Sequence, residues 1–175
     1  GVLNADNLLN FPDFRAFERS YQLMAQVSGR AGRKKKRGKV IIQTSQVSHP
    51  IIKNVLENDY LEMYRSQLQE RKEFMYPPYY KMIRILLKHK KPDVLADAAA
   101  MLMQDLKKTF GYRVLGPQDP IVGRIQNYHL KHVILKIEKD KSLARSKAII
   151  LKKTGNLKKN PSFKTLQIHF DVDPL

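Results

Sequence analysis

The chain has 175 residues, enough for one medium domain or two small ones with a real hydrophobic core. Its 33 Lys and Arg against 16 Asp and Glu leave a formal charge of +17, which favours polyanionic partners: nucleic acid first, an acidic protein tail or a membrane surface second. Zero cysteine excludes disulfides and cysteine-based zinc sites in this stretch and fits a reducing cytosol; no apolar run approaches a membrane span, and Gly1-Val2-Leu3 is no signal peptide.

Gly1-Val2-Leu3-Asn4 reads as the end of a buried strand, with Asp6 in the loop that follows. Gly1 is not a natural start residue, so the chain reads as a piece of something longer. Apolar residues at Phe14, Phe17, Tyr21, Met24 and Val27 recur at helical spacing, with Pro12 and Asp13 marking the start of that helix. The run Arg33 to Gly38 is a loop, because five adjacent cations repel one another. Val40-Ile41-Ile42 reads as a short strand. A second helix starts near Pro50 and a longer one covers Tyr60 to Phe74. Strand, helix, strand, helix is the expectation for half of an α/β lobe.

Tyr76-Pro77-Pro78-Tyr79 is the expected boundary, a stiff extended linker dividing 1–75 from 76–175. Its tyrosines can also be cast as base-stacking platforms; the linker reading is preferred. The charge differs across it. Residues 1–75 hold 13 basic and 8 acidic side chains, and residues 76–175 hold 20 and 8. Beyond it the pattern reads as strand at Met82–Leu87, helix at Val94–Phe110, an irregular strand pair from Val114 through Ile125, strand at His132–Ile137, helix at Leu143–Lys152 and strand at Leu166–Val172. That β-α-β-β-α-β order is the ferredoxin-like split motif, so the fold class is α/β plus α+β.

The octapeptide Gln26-Val27-Ser28-Gly29-Arg30-Ala31-Gly32-Arg33 is the most informative segment. Two arginines three residues apart at a helix end project on one side, so both can face one anion. Gly29 and Gly32 let the backbone leave the helix and keep Cβ atoms out of the approach path. The bland reading is a basic helix end with ordinary glycine caps. The pattern resembles motif VI of superfamily 2 helicases, Q-x-x-G-R-x-G-R, which reaches across an ATP cleft.

The flanks extend that resemblance. Asp13-Phe14-Arg15-Ala16-Phe17-Glu18-Arg19, the octapeptide, Gly38 to Thr44, His49-Pro50 and Asp171-Val172-Asp173-Pro174 fall in the order found at the C-terminal end of the PriA-type replication restart helicases, primosomal protein N′. The likeness runs nearly end to end. It implies the C-terminal portion of a RecA-like lobe followed by a domain similar to small-subunit ribosomal protein ten. It also implies a bacterial, cytoplasmic ATP-dependent DNA helicase as parent, acting at stalled forks in primosome assembly.

By the same resemblance Arg33 is the arginine finger, Arg30 its partner on the phosphates, and Gln26 positions water or the γ-phosphate. Asp6 matches the acidic position near motif V; its plain reading is a cap or turn residue. ATP and magnesium belong to the parent, and its zinc lies outside this chain. No G-x-x-x-x-G-K-[ST] occurs here: Gly32 to Lys39 comes near, but five residues separate its glycines and Val40 replaces the hydroxyl residue. The 175 residues alone are therefore expected to bind no cofactor and to leave ATP intact.

Implied partners are forked or single-stranded DNA, the tail of single-stranded DNA-binding protein and other primosome proteins. Lys34, Lys35, Lys36 and Arg37 are candidates for phosphate-backbone contact beside the motor groove, against a plain solvated loop. Lys88 to Lys91, Lys107-Lys108, Lys152-Lys153 and Lys158-Lys159 together make DNA contact plausible in the second half. Lys141, Arg145 and Lys147, placed on the last helix, are candidates for the acidic tail. His129 and His132, three apart in a strand, face opposite sides and make no metal site. Asp171 and Asp173 can chelate a cation, but end a strand beside basic groups more simply. The competing classes are a non-catalytic RNA-binding module and a protein-docking platform.

Overall fold

The structure is a computed structural model that describes residues 4–31 and 39–174. The chain divides into two compact units, Gly1–Phe74 and Met75–Leu175.

The first unit holds four helices among its described residues: α1 (Ala5–Leu9), α2 (Ala16–Ala31), α3 (Pro50–Glu57) and α4 (Tyr60–Glu73). Asp6, read as a loop residue, sits in the first turn of α1, because Asn4 adopts φ 58° and its side chain accepts from the Asn7 N–H. The strand read at Val40–Ile42 is reduced to one bridging residue, Ile42, while the Ala5 N–H donates to the Gln43 carbonyl at 2.9 Å. An apolar triplet becomes a strand only when a neighbouring strand completes its ladder, and among the described residues none does. Gly1 to Leu3 and Gly32 to Gly38 lie outside the described residues.

In α2 the buried residues are Ala16, Ser20, Tyr21 and Met24, of which Tyr21 and Met24 share one core with Ile51, Ile52 and Val55 of α3 and Met63 of α4. Asp13 organises the entry, accepting from the Arg15 N–H at 2.9 Å and from Arg19 Nη1 at 3.1 Å. His49 caps α3: its Nδ1 accepts from the Ile51 N–H at 3.2 Å, and burial pushes its pKa down, which keeps that nitrogen an acceptor. Arg71 of α4 reaches Glu18 of α2 at 2.6 Å.

The second unit runs β1 (Tyr80–His89), α5 (Pro92–Phe110), β2 (Val114–Gln118), β3 (Arg124–Ile125), β4 (Tyr128–Glu138), α6 (Leu143–Lys158) and β5 (Gln167–Val172). The sheet order is β2-β4-β1-β5, with β3 also paired to β4, and every pairing is antiparallel. β1 therefore lies between β4 and β5, and β4 between β1 and β2; each βαβ unit lends a strand to the other.

Alternation sets the faces. Ile83, Ile85 and Leu87 of β1 and Val133, Leu135 and Ile137 of β4 point to the helices. There they meet Leu95, Ala98, Leu102 and Leu106 of α5 and Ile150 and Leu157 of α6. Each fully buried Leu or Ile contributes about 1.5–3 kcal/mol. Pro92 opens α5 at N1 and Gly111, at φ 60°, closes it.

The Tyr76–Tyr79 segment is a turn rather than an extended linker. The Tyr76 carbonyl accepts from the Tyr79 and Tyr80 N–H groups, and the Tyr76 ring lies 3.7 Å from Lys136 Nζ. Lys136 is buried, which lowers its pKa, and the ring face supplies negative potential to its ammonium.

Candidate functional site

The end of α2 carries the first half of the octapeptide. Gln26 and Arg30 are four residues apart, hence on one side of the helix, and both are exposed. Ser28 faces the other way and donates its hydroxyl to the Met24 carbonyl at 2.9 Å. The helix does not leave its axis at Gly29, as expected from the sequence; it continues to Ala31. Nothing lies within 4 Å of the place a Cβ would take there, so packing gives no reason for a glycine. Gly32, Arg33 and the basic run Lys34, Lys35, Lys36 and Arg37 lie outside the described residues.

Beside this helix end runs a groove of about 560 Å³, lined by Ala25, Ser28 and Gly29 of α2, Ile42 and Thr44, and Ile52 and Val55 of α3. Gln26 and Arg30 are not part of its lining. Thr44 links the groove to Asp6. Its hydroxyl donates to Asp6 Oδ1, and Ser45 donates to Oδ2 through its hydroxyl at 2.6 Å and its N–H at 2.9 Å. The Ser45 hydroxyl, then Thr44 and the Ser45 N–H, hold the Asp6 carboxyl below the usual range.

The sign follows. A depressed folded pKa gives stability that is present above the unfolded carboxylate value and lost as pH falls through the folded one. Asp6→Asn is therefore expected to lower the melting temperature of the first unit at pH 7. The difference should shrink at pH 3, below the free aspartate value of about 3.9. An equal loss at both pH values, by circular dichroism melting, refutes a role for the charge.

In the second unit the lysine clusters separate by partner. Lys153 is committed to Asp105, at 3.0 Å from its carboxylate and 2.8 Å from its carbonyl, and Lys131 to Asp119 at 2.7 Å. Lys88 lies on the helix-free side of the sheet and Lys90 follows β1, its Nζ 5.8 Å from the Tyr128 ring centroid, while Lys107, Lys108, Lys152 and Lys158 are carried by the helices. Asp171 pairs with Arg84 at 2.5 Å, and Asp173 exchanges two hydrogen bonds with the Met82 backbone at φ 52°. Both aspartates thus have structural contacts that end β5. His129 and His132 fall on opposite faces of β4, and among the described residues no three His, Asp or Glu side chains cluster as metal ligands.

The family model of the primosomal protein N C-terminal domain matches residues 72–175, more than half of the chain. The chain belongs to that family. Among curated relatives, replication restart protein PriA of Bacillus subtilis is 35% identical across 99% of this chain and 22% of its own length. That of Thermotoga maritima is 36% identical, covering 78% of this chain and 18% of that protein. That of Borreliella burgdorferi is 31% identical, covering 99% and 25%. The chain spans a quarter or less of these relatives.

Within this primosomal protein N C-terminal domain the acidic-tail candidates are spread out. Arg145 and Lys147 are exposed on α6, but Lys141 precedes it, in the turn before the N-cap Ser142, 3.7 Å from Asp140. Ser142 accepts the Arg145 N–H, so the helix cannot begin earlier without losing its cap. Lys147 borders an apolar recess of about 240 Å³ with Ile83, Ile150, Leu151, Phe170 and Val172.

Sequence reasoning missed Thr44 and Ser45, whose signal was a hydroxyl pair one residue after an apolar run. It also missed Tyr128, Lys90 and Gln167, which only the strand register brings together: Lys90 Nζ lies 5.8 Å from the Tyr128 ring centroid, and Gln167 Nε2 donates to the Tyr128 hydroxyl at 3.4 Å.

Proposed function

We propose that this chain is the C-terminal part of an ATP-dependent DNA helicase that restarts replication. The carrying observation is the likeness to replication restart proteins across 99% of the chain, first unit and octapeptide included. In this reading the first unit ends a RecA-like motor lobe, and the second is a ferredoxin-like domain similar to small-subunit ribosomal protein ten. The strand order β2-β4-β1-β5 supports the ferredoxin-like assignment.

Arg30 and Arg33 complete an ATP site whose phosphate cradle and magnesium ligands lie on the other lobe, and Gln26, on the same side of α2 as Arg30, orients the γ-phosphate or its water. Asp6 ties α1 to the segment before α3 by holding Thr44, which lines the groove beside that helix end. The bare Gly29 position supports close approach of a ligand, since no neighbour needs the space. The +12 charge of residues 76–175 then serves DNA and acidic partners.

The test compares the 175-residue chain with the longer parent chain in steady-state ATP hydrolysis, with and without forked DNA. DNA-stimulated turnover is expected from the parent and none above background from the 175 residues. A parent without ATP turnover overturns the motor and leaves a non-catalytic binding module.

A further inference from the structure

The helices of the second unit cover one face of the sheet, and its other face is built differently. The register places Arg84 and Lys88 of β1 opposite Asp171 and Gln167 of β5 on that helix-free face, with His169 between them. Tyr128 stands at the start of β4 on the same side, with Lys90 Nζ 5.8 Å from its ring centroid and Gln167 Nε2 donating to its hydroxyl at 3.4 Å. The strands carry two carboxylates, Glu138 and Asp171, and both already bind arginines, Arg113 at 2.6 Å and Arg84 at 2.5 Å. At one end Tyr76 closes the face over Lys136. At the other, Tyr128 is half-buried, and Lys90, Gln167 and His169 around it are exposed.

We infer that this face is a track for single-stranded DNA, with Tyr128 as its stacking platform and Lys88 and Lys90 on the phosphates. The inference rests on the DNA reading above and deepens it by naming the surface and the form of the DNA. Three physical points favour this face. A base stacks on any π surface, and Tyr128 offers one that two neighbours hold in place. Alternate residues of a strand stand about 6.6 Å apart, so Lys88 stands two such steps from Arg84 on this face, with Leu86 between them. Sheets without covering helices are a recurrent way to hold unstacked bases. The lysines of α5 and α6 supply charge but no such platform. A duplex hides its base faces, so a stacking site selects the single strand.

The test titrates the 175-residue chain into a fluorescein-labelled 15-residue oligothymidylate and an equal-length duplex, reading anisotropy at several salt concentrations. Tyr128→Leu is expected to weaken single-strand binding about tenfold and duplex binding little. Tyr128→Phe keeps the ring and should stay within twofold of the parent sequence, separating loss of stacking from loss of fold. Removing Lys88 and Lys90 together should lower the single-strand salt slope by about 1.4, at about 0.7 per phosphate. Removing Arg65 and Lys72 of α4 takes away the same charge and should change nothing.

The track is overturned if the parent sequence ignores the oligonucleotide at low salt, or if Tyr128→Leu binds like Tyr128→Phe. It is overturned equally if removing Lys107 and Lys152 costs more than removing Lys88 and Lys90. Tighter binding of RNA than of DNA of the same sequence overturns the DNA assignment. No ATP enters this assay, so its failure leaves the ATP reading standing, and failure of the ATP reading leaves the track standing.

Discussion

In the longer parent chain, Arg33→Ala is expected to slow DNA-stimulated ATP hydrolysis by on the order of a thousandfold, the low end of what an arginine finger contributes. In phosphoryl transfer the γ-phosphate oxygens carry the developing negative charge, and a guanidinium fixed beside them stabilises it more in the transition state than in the bound substrate. The loss should therefore fall on kcat, with KM for ATP changed far less. Arg33→Lys should recover little, because an ammonium lacks the planar fork of a guanidinium. Arg30, exposed at the end of α2, shares the site in this reading, and Arg30→Ala should also lower kcat. Binding of forked DNA without nucleotide should be unchanged in all three. Turnover of Arg33→Ala within threefold of the parent, with normal DNA binding, removes the finger assignment.

Elements with a clean period were legible in the sequence. α5 shows its stripe at Leu95, Ala98, Leu102 and Leu106, and the structure buries those four residues. β1 shows as an apolar run and β4 as an alternation, and each sends its odd-numbered apolar residues to the helices. What escaped was decided by partners distant in sequence. Val40 to Ile42 has strand composition but a single bridge at Ile42, because pairing belongs to the neighbour as much as to the segment. Asp6 reads as a loop residue in the sequence because its Thr44 and Ser45 donors, 38 and 39 residues away, leave no local signal. The last helix was read as ending at Lys152, yet runs to Lys158: the Thr154 hydroxyl donates back to the Ile150 carbonyl and Leu157 is buried, so the helix passes through Gly155. For the candidate sites, the octapeptide was visible as a motif. Tyr128 was not, since a lone tyrosine entering a strand is ordinary until the register sets Lys90 and Gln167 beside it.

Gly116→Ala is expected to destabilise the second unit by about 3 kcal/mol, the upper part of the range for a residue forced into an unfavourable backbone region. Gly116 sits in β2 at φ 105°, a conformation that side-chain-bearing residues rarely adopt. A Cβ there would stand 2.8 Å from the His132 carbonyl oxygen and 3.2 Å from the Gln118 nitrogen. Both are backbone atoms of the paired strands, so neither can swing aside as a side-chain tip would. The β2–β4 register already shifts between Leu115 and Gln118, and the added methyl must push β2 away from β4 at that shift. The damage should be local first. Amide hydrogen exchange should quicken at Val114, Leu115, Ile134 and Leu135 before it does along β1 and β5. Gly155→Ala is the matched contrast, since it lies inside α6 with nothing within 4 Å of a new Cβ. There alanine should stabilise by about 0.5–1 kcal/mol, because glycine is the poorer helix residue. One chemical change with opposite signs at two sites isolates backbone conformation and close approach as the cause. Equal shifts at the two positions in urea titrations would remove that explanation.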